Sequence, residues 1–330
     1  MDSSQAVAAS LDATFVRLQR ATTSTLKAIT IDVLGLDKGD TLPKGDVYRE
    51  RLGVGSGTVQ QAFSILSDAG ALKTKSRGHL GRVITTLRPS RLWQLAGLDP
   101  VRFILPPRGP GEVRAMAEFI TEAMSGVGIP CVIDHVGGAR RRFAAIESGK
   151  ADVVCVSSGF ADLELSQARS DIGLIRHPRG TYYAPGRLVV LRHPARPTGR
   201  RVAIDPTSAD QAGLTRAEFP ADQGYEYVET DFPSIPVKLL AGVVDASIWH
   251  EMRTLIPPRL AGLEVDQPTR PATRELLDRS SAAVFVYSTR RSELHAIVGA
   301  LGSSKFAAAV AACTDPQADA ADRVDLAWVV

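Results

Sequence analysis

The chain has 330 residues, of which 44% are hydrophobic and 23% charged, with a formal net charge of +3. This is ordinary globular composition on a length that predicts two or more domains. Three scattered cysteines (Cys131, Cys155, Cys313) form no CxxC pair, which argues against a disulfide framework or a zinc site and for reduced thiols. The sequence has no run of about 18 apolar residues and no basic-then-apolar leader pattern, so a soluble, cytoplasmic protein with no membrane partner is expected.

Leu11, Phe15, Leu18, Thr25, Leu26, Ile29, Val33 and Leu34 recur at three- and four-residue steps and predict one long amphipathic helix over about 11–34, closed by Gly35. A turn at Gly39–Pro43 follows, then a short helix over Asp46–Leu52 with Val47 and Leu52 as its inward pair. Thr58–Ala69 is a second helix, with Val59, Ala62, Phe63 and Leu66 on one face and Gln60, Gln61 and Ser64 on the other. Two short strands, 71–75 and 82–84, flank a turn at Ser76–His79. Helix, tight turn, polar-faced helix and basic hairpin is the order of a winged helix-turn-helix, which places one helix in the major groove. From Ala69 to Leu98 there is no acidic residue, while Lys73, Lys75, Arg77, Arg82, Arg88 and Arg91 are basic, the charge pattern that suits a polyanion. The Gly53–Thr58 run has neither phosphate-loop spacing, and its glycines suit the inter-helix turn.

Gly39–Pro43, Leu52-Gly53-Val54, Thr58–Phe63, Leu66, Gly70 and the Arg77-Gly78 tip resemble the DNA-binding domain of GntR-type transcriptional regulators, over roughly residues 39–84. The chain departs from that pattern at Ser56 and Gln60, where the family carries basic residues, and at Lys44 and Gly45, where it carries Ser and Glu. Gln60 and Gln61 can each bond an adenine edge with donor and acceptor together. Ser56 and Thr58 can reach phosphate at the helix start. Lys44, Lys73, Lys75, Arg77, His79 and Arg82 complete the expected duplex contacts.

Residues 1–88 are therefore expected to form the DNA-binding domain, 89–100 a linker with Leu92, Trp93 and Leu95 packed on a neighbour, and 101–330 an α/β domain. In that domain apolar strands alternate with helices, which predicts parallel sheets covered on both faces. The phrases Ala144–Val153 and Lys238–Ala246 share one plan of helix, Gly, Asp and strand, about 94 residues apart, and predict two similar lobes. The second lobe would span about 193–280, with Tyr182–Arg192 as one crossing and the strand near Val284 as the return. This organisation resembles the type 2 periplasmic-binding-protein fold. The runs Arg201–Asp205, Ser208–Gln211 and Gly242–Trp249, with Gly180–Tyr182, resemble YhfZ-type regulators, in which such a domain follows a winged helix.

Ligands in open α/β sheets sit beyond the carboxyl ends of strands, at helix starts. That rule selects Arg108, Gly137, Gly138, Ser157, Ser158, Asp205, Ser208, Asp210 and Gln211, with Tyr182 or Tyr183 and Trp249 as walls. Exposed N–H groups at Gly137-Gly138 and the Ser208 cap suit a small anion such as a carboxylate or phosphate. No HExxH or GxSxG motif is present, and a grouping of Ser157, His250 and Asp205 has no distinctive spacing. The sequence thus predicts no catalytic residues, metal or cofactor. It predicts a homodimer that binds double-stranded DNA and a small-molecule effector, with an enzyme on the same two-lobed fold as the alternative.

Overall fold

The computed structural model describes residues 20–78, 81–165, 170–252, 256–302 and 304–314. These residues form two compact units. One comprises the described residues of 20–100, 124–130 and 290–300, and the other those of 101–123, 131–289 and 301–314.

In the first unit, helix α1 occupies residues 20–34, and the part of the predicted helix before residue 20 lies outside the described residues. Its inward face is Thr25, Ile29, Thr30, Val33 and Leu34, all buried. Strand β1 (Thr41–Leu42) leads to α2 (Gly45–Leu52) and α3 (Ser56–Asp68). The inward residue of α2 is Tyr48, not Val47: Tyr48 is fully buried and Val47 is 51% exposed. The tyrosine ring meets Phe63 of α3 edge-on at 5.7 Å and carries Arg51 over its face, so a large aromatic with a cation lid takes the place expected for a small aliphatic. Gly53 ends α2 in the left-handed region (φ 62°), which needs glycine at the inter-helix turn. Strands β2 (Leu72–Ser76) and β3 (Arg82–Leu87) form the antiparallel hairpin, and β1 completes a three-stranded sheet of order β1-β3-β2. Residues 89–95, expected as linker, are instead helix α4 (Pro89–Leu95), started by its proline and anchored by buried Leu92 and Trp93. Residues 290–300 also belong here, and Ser292 and His295 bond Ile31 and Asp37 around the end of α1.

The second unit holds two five-stranded sheets built on one plan. In the first lobe β4 (Val101–Leu105), α5 (Gly111–Val127), β5 (Cys131–His135), α6 (Ala139–Glu147), β6 (Val153–Ser157), α7 (Ser158–Glu164) and β7 (Ile172–Arg176) follow in order. The second lobe runs β8 (Leu188–Arg192), β9 (Arg201–Ile204), α8 (Ala209–Glu218), β10 (Glu226–Glu229), α9 (Ile235–Leu240), β11 (Ala246–His250) and β12 (Glu264–Asp266). Helix α10 (Pro271–Ser280) packs on α8 and α7, and β13 (Ala283–Ser288) then enters the first sheet. Helices α11 (His295–Leu301) and α12 (Lys305–Thr314) close the described chain. The sheet orders are β5-β4-β6-β13-β7 and β10-β9-β11-β8-β12.

The sheets are mixed rather than parallel. In each, the fourth strand (β13 or β8) arrives from the other lobe and runs antiparallel to both its neighbours. Two consequences correct the sequence reading. Leu188–Arg192 is a central strand and not part of the crossing, which ends at residue 187, and the second sheet spans 188–266 rather than beginning near 193. The recurring helix-Gly-Asp-strand phrase has a structural cause. Asp152 accepts the backbone N–H of Arg102 at 2.7 Å, and Asp245 accepts that of Arg201 at 3.0 Å, so each Asp stitches the start of the neighbouring parallel strand.

Candidate effector cleft and nucleic-acid interface

A cavity of ≈ 530 Å³ opens between the two lobes of the second unit. Helix α6 enters it through Gly137 and Gly138. The backbone of Gly138 is left-handed (φ 80°), and a Cβ there would sit 2.6 Å from the Thr207 carbonyl oxygen, so only glycine admits the loop of the second lobe. One turn on, Arg142 lines the cavity yet is only 2% exposed. Its Nε donates to Cys155 O (2.7 Å), Nη1 to Val136 O (2.8 Å) and Nη2 to the Tyr182 hydroxyl (2.9 Å). All three acceptors are neutral, and among the described residues no carboxylate pairs with this guanidinium. Arg142 was missed because Arg140-Arg141-Arg142 reads as a solvated face. The signal was its phase: Ala139, Arg142, Phe143 and Ile146 are the buried stripe of α6.

From the second lobe come Asp205, Ser208, Asp210 and Gln211. Asp205 holds its own loop, accepting from Thr207 N and Oγ1 and from Phe232 N. Ser208 caps α8, and buried Gln211 accepts from Asp205 N at 2.7 Å, both shaping the rim. Asp210 bonds the side chains of Ser157 and Tyr183, and burial pushes its carboxyl above the usual range although Ser157, Arg142 and Tyr183 pull it down. Tyr182 lines the cavity and stands edge-on to Tyr183 at 4.9 Å. Pro106, Val113, Met116, Leu188, Ile248 and Met252 give apolar walls.

The other selected residues fall elsewhere. Arg108 is exposed and outside the lining, and Ser158 donates to Arg279 O and accepts from Ala282 N. Ser157 caps α7, accepting from Phe160 N. Trp249 is core, stacked on Phe232 at 4.4 Å, and it is Phe232 that reaches the cavity. The grouping of Ser157, His250 and Asp205 does not assemble, since His250 Nε2 pairs with buried Glu112 Oε1 at 3.0 Å. Burial raises the Glu112 carboxyl, but His250 and the Ala184 N–H outweigh it and leave it below its ordinary value. Among the described residues no His, Cys, Asp and Glu cluster could hold a metal ion.

In the first unit, α3 turns Gln60 and Ser64 toward the hairpin, and the groove between them is lined by Lys44, Ser56, Gln60, Lys73 and Arg82 together with Asp46 and Asp68. Thr58 is half-buried in the first turn of α3. Gln61, Lys75 and Arg77 are exposed outside the groove, and His79 lies outside the described residues. Lys44, Lys73, Lys75, Arg77 and Arg82 pair with no carboxylate among the described residues. Arg49 and Arg51 on α2, by contrast, are tied to Asp46, Glu50 and Asp32.

Fold and site together define a class: a regulator with an N-terminal helix-turn-helix and a two-lobed α/β unit. The chain belongs to the YhfZ C-terminal domain family, which it matches over residues 89–309, and residues 37–84 match a helix-turn-helix domain family. Among solved structures it is similar to YhfZ from Shigella flexneri, at 21% identity and a TM-score of 0.52, covering 69% of this chain and 96% of that one. A periplasmic substrate-binding protein of an ABC transporter from Coxiella burnetii is 18% identical at a TM-score of 0.41, covering 64% of this chain and 96% of that one. No curated protein sequence matches the chain.

Proposed function

We propose that the protein is a transcriptional regulator that binds double-stranded DNA as a cytoplasmic homodimer and is controlled by a small metabolite, bearing an anionic group, in the cleft between its lobes. The observation that carries the DNA reading is the contrast in ion pairing. The cations of the groove and hairpin are exposed without carboxylate partners, whereas those of α2 are neutralised by neighbours. Unpaired basic side chains bordering a polar helix edge suit a phosphate backbone, with Gln60 and Gln61 reading base edges. A homodimer would meet a roughly two-fold symmetric site with half-sites about one helical turn apart. Effector and operator then influence each other by the same factor in both directions. The enzyme alternative has less support, because Ser157, Asp205 and His250 are each engaged in holding the fold.

The test is duplex selection followed by titration of the full chain and of the Gln60→Ala/Gln61→Ala/Arg77→Ala variant. Loss of sequence preference with weak duplex binding retained is expected. Unchanged specificity in the variant would remove these residues as readers.

A further inference from the structure

The two lobes repeat not only strands but an acid. The helix after the second strand in each sheet order, β4 or β9, carries a carboxylate at its second residue, Glu112 in α5 and Asp210 in α8. Each reaches across the cleft to the last residue of the other lobe's third strand. Glu112 meets His250 of β11, and Asp210 meets Ser157 of β6. The partners are not equivalent. Glu112 has a side chain that can carry positive charge and also the Ala184 N–H, while Asp210 has two hydroxyls, of Ser157 and Tyr183. On the opposite wall the buried Arg142 guanidinium has three neutral acceptors and two N–H donors left over. The cavity therefore presents a buried guanidinium and a carboxylate that lie within electrostatic reach but are joined by no direct ion pair, and a ligand carrying both complementary charges would satisfy the two together. Adjacent tyrosines hold the two groups: Tyr182 bonds Arg142, Tyr183 bonds Asp210, and their rings are 4.9 Å apart. The complementary charges of the ligand must accordingly lie close together. Around them the walls are Pro106, Val113, Met116, Leu188, Ile248 and Met252.

We propose that the cleft takes a small zwitterion with an apolar body, an α-amino acid with a hydrophobic side chain, its carboxylate on Arg142 and its ammonium on Asp210. This rests on the effector reading and narrows its anionic group to a carboxylate that travels with a cation. A dianionic phosphate fits poorly, because Asp205, Asp210 and Asp231 line the same cavity.

Isothermal titration of the full chain with valine, leucine, methionine and phenylalanine tests it. Each is compared with its deaminated acid, its decarboxylated amine and inorganic phosphate. At least one amino acid should bind saturably, and removing either charge should weaken binding about tenfold or more. Asp210→Asn should erase the preference for that amino acid over its deaminated acid while keeping the preference over the amine. Arg142→Gln should do the reverse. This crossed pattern is not produced by general loosening of the fold, and if Arg142→Gln does not fold, Asp210→Asn with Tyr182→Phe carries the test. Tyr182→Phe then removes the acceptor that orients the Arg142 guanidinium and should weaken the amino acid and its deaminated acid together. No saturable binding by any of the four amino acids, or equal binding of the deaminated acid in the unaltered chain, overturns the proposal. Tight phosphate binding that shifts duplex affinity would also overturn it while leaving the effector reading standing.

Discussion

The two lobes share strand order, strand direction and even the Asp that stitches neighbouring strands, yet they present different chemistry to the space between them. The first lobe offers a glycine-opened helix and a buried arginine, and the second offers Asp205, Asp210 and an outer Asp231. The comparison teaches that two lobes of the same strand plan can carry unlike side chains toward the space between them, so a repeated scaffold makes an asymmetric site.

The largest expected effect comes from a group behind the first sheet. His177 is buried among Phe119, Phe285 and Phe306 with Nε2 unbonded, and burial lowers it from 6.5 to about 4. Between those two values the unfolded chain binds the proton and the folded one does not. Stability should therefore fall as pH drops from about 6.5 toward 4, by on the order of 3 kcal/mol. Urea unfolding of the unaltered chain and of His177→Leu across that range checks it, and the variant should lose most of the slope.

A second comparison sharpens the role of the α6 entrance. Gly138→Ala should cost about 2–3 kcal/mol, because a left-handed backbone and the Thr207 carbonyl both oppose a Cβ. Gly137→Ala, whose nearest neighbour would be Pro107 at 3.8 Å, should cost under about 1 kcal/mol. Equal melting temperatures for the two variants would refute the close approach of the lobes there.

The stitching aspartates give the smallest difference. Asp245→Ala should cost about 2 kcal/mol and Asp152→Ala about 1 kcal/mol. Asp245 also accepts Arg201 Nε at 3.2 Å and Nη2 at 2.8 Å, while Arg102 stands 3.6 Å from Asp152. Burial raises the Asp245 carboxyl, but Arg201 and Arg196 overcome this and hold it low. Its stabilisation is thus present above the ordinary Asp value and is lost as pH falls from there through its depressed folded value.

Much of this was legible in the residues. The helix-turn-helix order, the strands and the repeated phrase follow from periodicity and from glycine placement. Strand direction was not legible, since Leu188–Arg192 and Ala283–Ser288 are as continuously apolar as their parallel neighbours and nothing local says which way they run. Val47 and Tyr48 sit one step apart on a short helix, and the choice between them depends on Phe63 arriving from α3. The strand-end rule selected Gly138, Asp205 and Asp210, which line the cavity, but neither Arg142, which lines it too, nor Glu112, which is buried against His250. Charged residues are inward-facing there because of partners distant in sequence, such as Cys155, Tyr182 and His250.

The most direct test of the central claim is titration of the full chain against a selected duplex over a range of salt concentrations, with Lys75→Ala as companion. Affinity should fall linearly on logarithmic axes, with a slope that Lys75→Ala reduces by about one unit. Affinity independent of salt, or the same slope after alanine replaces Lys73, Lys75, Arg77 and Arg82 together, would contradict it.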